Sequence, residues 1–368
     1  MHASLEEWLA SLCMLCVMGL GGWQAFLAVQ HPDVLDIPLT LESVRSGEST
    51  DQFSKILDNN LPWRDELIAL ANSGRYLLTQ GAGDQVRVGR DEWLFSVEEI
   101  EYFSQHATHQ TQRLQQVRLI SEELRKSNVI LLVALVPDKA RVHAEQLRSG
   151  KYPDWYQDRY LSILTELRRF NIAVVDLYAN LAGRAETYPT YYTTDTHWNQ
   201  TGARVAAHSI ANQIAELGVT SSTTNFRTKT SAVGRERVGD LLKIMGLERV
   251  PNWMRPNPDK EFADATESLE PAANTSLFGD VHVPVTLVGT SYSLRANFHG
   301  YLQEYLQAAT LNVAMDGGGF IQSMSRYLRD DSFKASPPRL VVWEIPERVF
   351  SAPILDAEQK AFPFTITQ

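Results

Sequence analysis

The chain has 368 residues, of which 44% are hydrophobic and 21% charged, with a formal net charge of -10. That length allows one large domain or two ordinary ones with ample core, and the composition excludes disorder and collagen-like repetition. Stripes of Lys and Arg able to neutralise phosphates are absent, so nucleic acid is not an expected partner.

The first element is apolar. Trp8 to Val29 has only Ser11 and Gln24 as polar interruptions, and its length matches the roughly 20 residues a helix needs to cross a bilayer. Glu6 and Glu7 precede it and the first basic residue is Arg45, so the positive-inside rule gives no orientation. No basic leader marks a cleaved signal peptide. The expectation is an uncleaved anchor over residues 8–29 with the remainder exported; a buried core helix is the alternative. The expected division is therefore 1–30 as a transmembrane anchor or signal segment and 31–368 as the body. Cys13 and Cys16 both lie in the apolar segment and neither follows a convincing lipobox. The body then has no thiol for a disulfide or a cysteine nucleophile. Without Glu6 and Glu7 its net charge is -8.

An amphipathic region follows from Val44 to Thr79, broken at Leu61-Pro62-Trp63-Arg64. Val86 to Phe95 reads as two short strands around a turn. Apolar positions at Leu114, Val117, Ile120 and Leu124 keep close to the 3.6 period of a helix. Val129 to Val136 is a continuous apolar run ended by Pro137, which suits a parallel strand buried on both faces. A helix over Gln157 to Arg169 leads to a strand at Ala173 to Leu177. Two later strand–helix pairs start at Pro284 to Val288 and at Leu311 to Met315, the latter with a helix over Ile321 to Leu328. Leu340 to Glu344 closes the series. Strands alternating with helices predict an α/β fold, a mostly parallel sheet flanked by helices. Around 219–283 the pattern weakens into Thr, Ser, Pro and charged residues, which reads as an insertion packed on the sheet.

Two segments carry chemistry. Val285-Thr286-Leu287-Val288 runs into Gly289-Thr290-Ser291-Tyr292-Ser293, placing a serine at the carboxyl end of a strand, where open parallel sheets bind ligands. Backbone N–H groups there can face a developing oxyanion. A turn with a helix N-cap is the plain alternative. The second segment is Thr193-Thr194-Asp195-Thr196-His197-Trp198-Asn199, just before a helix over Ala203 to Leu217. Asp195 and His197, two apart in an extended loop, can set a carboxylate against one imidazole nitrogen and free the other to deprotonate Ser291. A metal-ligand pair and a structural loop are the alternatives; no second His/Asp/Glu cluster has ligand spacing, so no metal is expected. His106 and His109, three apart on the earlier helix, lack an acidic companion. Asn199 reads as the N-cap of the following helix.

Tyr292, beside the serine, and Gly318, in the Asp316-Gly317-Gly318-Gly319 loop after the fourth strand, are candidate oxyanion-hole residues; a plain turn is the alternative for the glycines. Trp198 and Tyr292 are candidate sugar-stacking surfaces, as are Trp63, Trp93, Trp155 and Trp253, with a core position the competing reading for each. Arg348 reads as an ion-pair partner.

Taken together, the Asp195-Thr196-His197-Trp198 loop, the Gly289-to-Ser293 turn and the late Trp343-Glu344-Ile345-Pro346-Glu347-Arg348 strand resemble the alginate O-acetyltransferases of the AlgJ and AlgX type. Val88-Gly89-Arg90-Asp91-Glu92-Trp93-Leu94-Phe95 and Val136-Pro137-Asp138-Lys139-Ala140 share the likeness, which covers most of the chain from about residue 50. The resemblance implies an SGNH-hydrolase-like domain, with the triad order Asp, His, Ser permuted relative to ordinary SGNH hydrolases. It implies Ser291 as nucleophile, with His197 and Asp195 as base and orienter. Acetyl would pass through a serine ester to a bacterial exopolysaccharide, cellulose or alginate, in the periplasm. It also implies a membrane-bound O-acyltransferase and other polysaccharide acetylation proteins as partners, and a need for an acetyl donor but no other cofactor. Ending at Gln368 with no carbohydrate-binding module, the chain looks more like the anchored AlgJ form than the soluble AlgX form. A polysaccharide acetylesterase with the same triad and a non-catalytic export scaffold are the competing functions. The charge of -8 leans the acceptor toward a neutral glucan.

Overall fold

The computed structural model describes residues 5–219, 225–269 and 283–361. The chain divides into two compact units, Met1–Gly74 and Arg75–Gln368. The first unit is helical, with helices Leu5–Val29, Leu41–Ser46 and Glu48–Asn60 and the start of a helix spanning Arg64–Thr79. Among the described residues no helix is long and apolar enough to cross a membrane. The side chains of residues 9, 10 and 13, inside the expected anchor, lie outside the described residues.

Among the described residues the second unit carries nine strands: β1 Val86–Val88, β2 Leu94–Ser96, β3 Ile130–Val136, β4 Ala173–Asp176, β5 Phe226–Arg237, β6 Asp259–Ser268, β7 Val285–Val288, β8 Leu311–Asn312 and β9 Leu340–Pro346. Five of them form one sheet in the order β4-β3-β9-β7-β8, with every neighbouring pair parallel. Because side chains alternate along a strand, the sheet has two buried faces. Leu132, Ala134 and Val136 of β3 pack with Val285 and Leu287 of β7 and with Ala203, Ala207 and Ile210 of helix Gln200–Glu216. Leu131, Val133 and Leu135 pack on the other face with Leu114, Val117, Ile120 and Leu124 of helix His106–Lys126. The result is the expected three-layered α/β fold. β9 lies at its centre, where its run from Leu340 to Pro346 is wholly buried.

The structure adds three details. Leu311 to Met315 pairs only over Leu311–Asn312, at the sheet edge. After β7 the chain first makes a single 3-10 turn, Ser291–Leu294, and the helix proper starts at Phe298. Within the insertion, β5 and β6 form a long antiparallel hairpin, and helix Asp240–Ile244 lies in the segment joining them. Segments 220–224 and 270–282 of the expected insertion lie outside the described residues.

Buried ions tie the carboxyl ends of β3 and β9 together. Glu347 accepts from Arg141 at 2.8 and 2.5 Å, from Arg159 at 3.1 Å and from the Asp138 N–H at 3.2 Å. Asp138 in turn accepts from Tyr152 at 2.9 Å, from the Arg348 N–H at 3.0 Å and from Arg159. Burial alone would raise the Glu347 carboxyl, but Arg159 and Arg141 outweigh it and hold it low. Removing one partner strands the others in a dry interior. Glu347→Ala should therefore lower the unfolding free energy by about 3–5 kcal/mol, read from the denaturant midpoint. An unchanged midpoint would show that this network does not hold the strand ends.

Candidate active site

The sheet brings the two chemistry-bearing segments to one edge. Ser291 opens the 3-10 turn after β7, where Thr290 is the N-cap. That turn is fixed from β9: Glu344, fully buried, accepts from the Thr290 N–H at 2.7 Å, from Thr290 Oγ1 and from Ser293 Oγ at 3.0 Å. Burial pushes the Glu344 carboxyl up, against the pull of the Thr290 N–H. Gly289 is needed for this approach, since a Cβ there would stand 2.5 Å from Glu344 Oε2 and 2.6 Å from Ser293 Oγ.

The Asp195–His197 loop precedes helix Gln200–Glu216, whose N-cap is Asn199, its side chain accepting from the Gly202 N–H as the sequence predicts. His197 Nε2 lies 2.7 Å from Ser291 Oγ, and His197 Nδ1 lies 2.5 Å from Asp195 Oδ1. Asp195 Oδ1 also accepts from the His197 N–H at 3.0 Å, while Oδ2 accepts from Arg237 at 3.0 Å and from the Asp240 N–H at 3.2 Å. Burial by itself would raise the Asp195 carboxyl. The hydrogen bond and charge of His197, followed by Arg237, overcome that and hold it well below the usual carboxylate range.

The loop is held from several sides. Lys139, fully buried, donates its three hydrogens to Leu94 O at 2.6 Å, Thr193 O at 2.8 Å and Asp195 O at 3.0 Å. Its ammonium also lies 5.0 Å from the centre of the Trp93 ring. Burial pushes this lysine down to about 8, against the attraction of Asp259 and Glu99. Asp259, at the start of β6, accepts from the N–H groups of Thr193 at 2.7 Å and Thr194 at 2.8 Å. Gly239 closes against the loop so tightly that a Cβ would meet Thr194 O at 2.0 Å.

Three sequence candidates change character. Trp198 is fully buried, edge-to-face with Tyr292 and tilted against Phe298, so it offers no face to a sugar. Tyr292 is also fully buried; its hydroxyl donates to Thr196 O at 2.7 Å and its N–H to Thr290 Oγ1 at 3.3 Å. Tyr292 thus buttresses the loop, and neither its ring nor a free N–H meets substrate. The Gly318 N–H is used by Met315 O at 3.2 Å, leaving no donor for an oxyanion. Trp93 is core, whereas Trp63, Trp155 and Trp253 are exposed; Trp155 and Trp253 do not line the cleft at Ser291. Arg348 is an ion-pair partner, 3.3 Å from Glu98, and lines the cleft as well.

That cleft has a volume of about 630 Å³ and is bordered by Ser96, His197, Arg237, Asp240, Ser291, Arg295, Asp316 and Arg348, among others. Asp195, His197 and Asp240 place one donor atom each within 4.8 Å of one another, a spacing a metal ion could use. Those atoms are already committed, however: Asp195 Oδ1 to His197, and Asp240 Oδ2 to the Thr196 hydroxyl at 2.5 Å. The guanidinium of Arg237 also supplies a positive charge on Asp195 Oδ2. Lys139, Arg237, Asp240 and Glu344 escape a reading of sequence spacing. Lys139 and Glu344 were visible only as members of the motifs Val136-Pro137-Asp138-Lys139-Ala140 and Trp343-to-Arg348.

A parallel α/β sheet with a linked Asp, His and Ser at its carboxyl edge is the arrangement of a serine acyl-transfer enzyme. Residues 86–347 match the family described as the SGNH hydrolase-like domain of acetyltransferase AlgX. The chain is 30% identical over 342 residues to a probable alginate O-acetylase AlgJ of Azotobacter vinelandii, covering 92% of this chain and 86% of that protein. A Pseudomonas putida AlgJ is 31% identical over 341 residues, covering 90% and 86%. Among solved structures, the O-acetyltransferase domain of Pseudomonas putida AlgJ superposes with a TM-score of 0.66 at 30% identity, over 75% of this chain and 96% of that one. Pseudomonas aeruginosa AlgX gives 0.58 at 26%, over 75% and 64%. The chain belongs to the AlgX-type family of SGNH-hydrolase-like acetyltransferases, and it is an O-acyltransferase.

Because the Asp195 carboxyl is depressed below its ordinary 3.8, its contribution to stability is present above that value and is lost as pH falls through the depressed one. The gap in Tm between the wild type and Asp195→Asn should be widest above about pH 5 and narrow steadily below about pH 4. A gap that stays constant on acidification would mean that the paired carboxylate stabilises nothing.

Proposed function

We propose that this protein transfers acetyl groups from a donor ester to hydroxyls of a bacterial exopolysaccharide through an acetyl–Ser291 intermediate. The observation that carries the reading is the unbroken line from Asp195 through His197 to Ser291, with contacts of 2.5 and 2.7 Å. In the first half-reaction His197 Nε2 takes the Ser291 proton as Oγ bonds to the acyl carbon. The tetrahedral adduct collapses, and the donor's leaving group departs with the proton held by His197. A sugar hydroxyl then gives its proton to the same nitrogen, attacks the serine ester and leaves as the acetylated sugar with Ser291 restored. The N–H of Ser291 heads the short helix Ser291–Leu294 and has no partner within it; it is the oxyanion donor we assign in place of Tyr292 and Gly318.

The relatives' names point to alginate, but the charges of the cleft favour a neutral acceptor such as cellulose. Of its four basic residues, Arg237, Arg295 and Arg348 are paired with acids, and Lys243 alone has no ion pair among the described residues. Asp84, Glu98, Asp240 and Asp316 lie on the same walls. A polyuronate would meet no surplus of positive charge there.

The anchor over residues 8–29 rests on the apolar sequence of that segment, although no helix among the described residues is long and apolar enough to cross a membrane. The segment's exposed Leu12, Leu15, Val17, Trp23 and Phe26 suit hydrocarbon. We place the catalytic unit in the periplasm, attached to the inner membrane, where a membrane-bound O-acyltransferase would supply the donor.

The test incubates the full chain with a donor ester and, side by side, cello-oligomers and mannuronate oligomers, with products read by mass spectrometry. The cello-oligomers should be acetylated faster, and Ser291→Ala should lose transfer by at least about a thousandfold. Preferential acetylation of mannuronate would reverse the acceptor assignment. Acetate release unaffected by either oligomer would make the protein an esterase, and activity surviving in Ser291→Ala would remove the nucleophile.

A further inference from the structure

The imidazole of His197 faces two carboxylates, not one. Asp240 Oδ2 lies 3.5 Å from His197 Nδ1, on the nitrogen that bonds Asp195 at 2.5 Å. Asp240 is held in that place with little freedom. Its Oδ1 accepts from the Thr196 N–H at 2.7 Å, its Oδ2 from the Thr196 hydroxyl at 2.5 Å, and its own N–H donates to Asp195 Oδ2 at 3.2 Å. The residue before it is Gly239, whose missing Cβ lets this backbone close on Thr194. The side chain is one-third exposed and borders the cleft at Ser291. Asp195, by contrast, is buried and shares its second oxygen with Arg237. One carboxylate is therefore partly neutralised by a guanidinium, while the other carries no ion pair to Lys or Arg among the described residues.

We propose that Asp240 is a positioning residue for acyl transfer: it is the second carboxylate on His197 Nδ1, stabilising the imidazolium that forms when Ser291 gives up its proton. The inference rests on the triad proposed above. It follows from charge and distance. Proton transfer from Ser291 to Nε2 makes the ring cationic, and a carboxylate 3.5 Å from Nδ1 favours that state over the neutral one. Asp240 also stands ready as an alternative acceptor for the Nδ1 proton when Asp195 is lost. The two acids then act as a coupled pair, and deleting both costs more than the product of the single losses.

Asp240→Asn keeps an oxygen for the Thr196 N–H and removes the charge. Acylation is followed in the full-length chain with 4-nitrophenyl acetate, and each rate is divided by the fraction of Ser291 that an organophosphonate titrates, so that misfolded protein drops out. The expected result is a fall in kcat of about ten- to a hundredfold with KM nearly unchanged, as for a group whose interaction is made in the transition state. In an Asp195→Ala background the same change should cost at least about ten times more than in the wild type. Asp240→Ser, neutral but still an acceptor, should be as slow as Asp240→Asn. Three results would overturn the proposal: a normal kcat in Asp240→Asn, a loss confined to KM, or an equal loss in both backgrounds. Ser291→Ala run in parallel separates the two claims. If it is dead while Asp240→Asn is normal, only the role of Asp240 fails; if it is active, the triad itself fails.

Discussion

The buried Asp195 carboxylate is the constraint around which the rest of the site is arranged. Taking such a charge out of water costs several kcal/mol unless hydrogen bonds and opposite charge replace its hydration. Here the His197 ring, the His197 N–H, Arg237 and the Asp240 N–H do so. Those donors come from two distant parts of the chain, the loop itself and the segment around the end of β5. Solvating one carboxylate therefore also fixes where the hairpin meets the loop. Lys139 adds the complementary case: a buried cation satisfied by three carbonyls, one of them that of Asp195. The direction of the imidazole, and with it the line to Ser291, follows from these two ions.

The opposite wall is set by the sheet. β9 places Glu344 under the Ser291 turn and Glu347 among Arg141, Arg159 and the Asp138 N–H. Its flank on β7 thus holds the Ser291 turn, and its flank on β3 closes the ion cluster. Tyr292 bridges the halves, because its ring packs on His197 and its hydroxyl reaches Thr196 O. Ser291 and His197 are consequently braced by one another's neighbours, the kind of support a preorganised site needs. The same bracing explains why Trp198 and Tyr292 are core residues although both adjoin reacting groups.

Much of this was legible in the sequence where the signal was local. The unbroken apolar run of β3, the 3.6 period of helix His106–Lys126 and the N-cap at Asn199 follow from nearest-neighbour chemistry. Ser291, His197 and Asp195 could be singled out because each sits at a strand end or in a short loop before a helix. The hairpin of β5 and β6 was not legible, since much of both strands is exposed and no alternation of apolar and polar residues marks them. Arg237 and Asp240 stay hidden for the same reason, lying about 40 residues from the loop they serve. A buried aromatic and a sugar platform look alike in one dimension; Trp198 is separated from the second only by the packing of Tyr292 and Phe298 over it.

The proposed covalent route can be read directly. The full chain, mixed with a donor ester and quenched in acid within the first turnover, is digested and its peptides weighed. The peptide containing Ser291 should carry the mass of one acetyl group, the label should vanish on adding acceptor oligosaccharide, and His197→Ala should not form it. Transfer of acetyl to the oligosaccharide with Ser291 never labelled, or with the label on another residue, would contradict the mechanism.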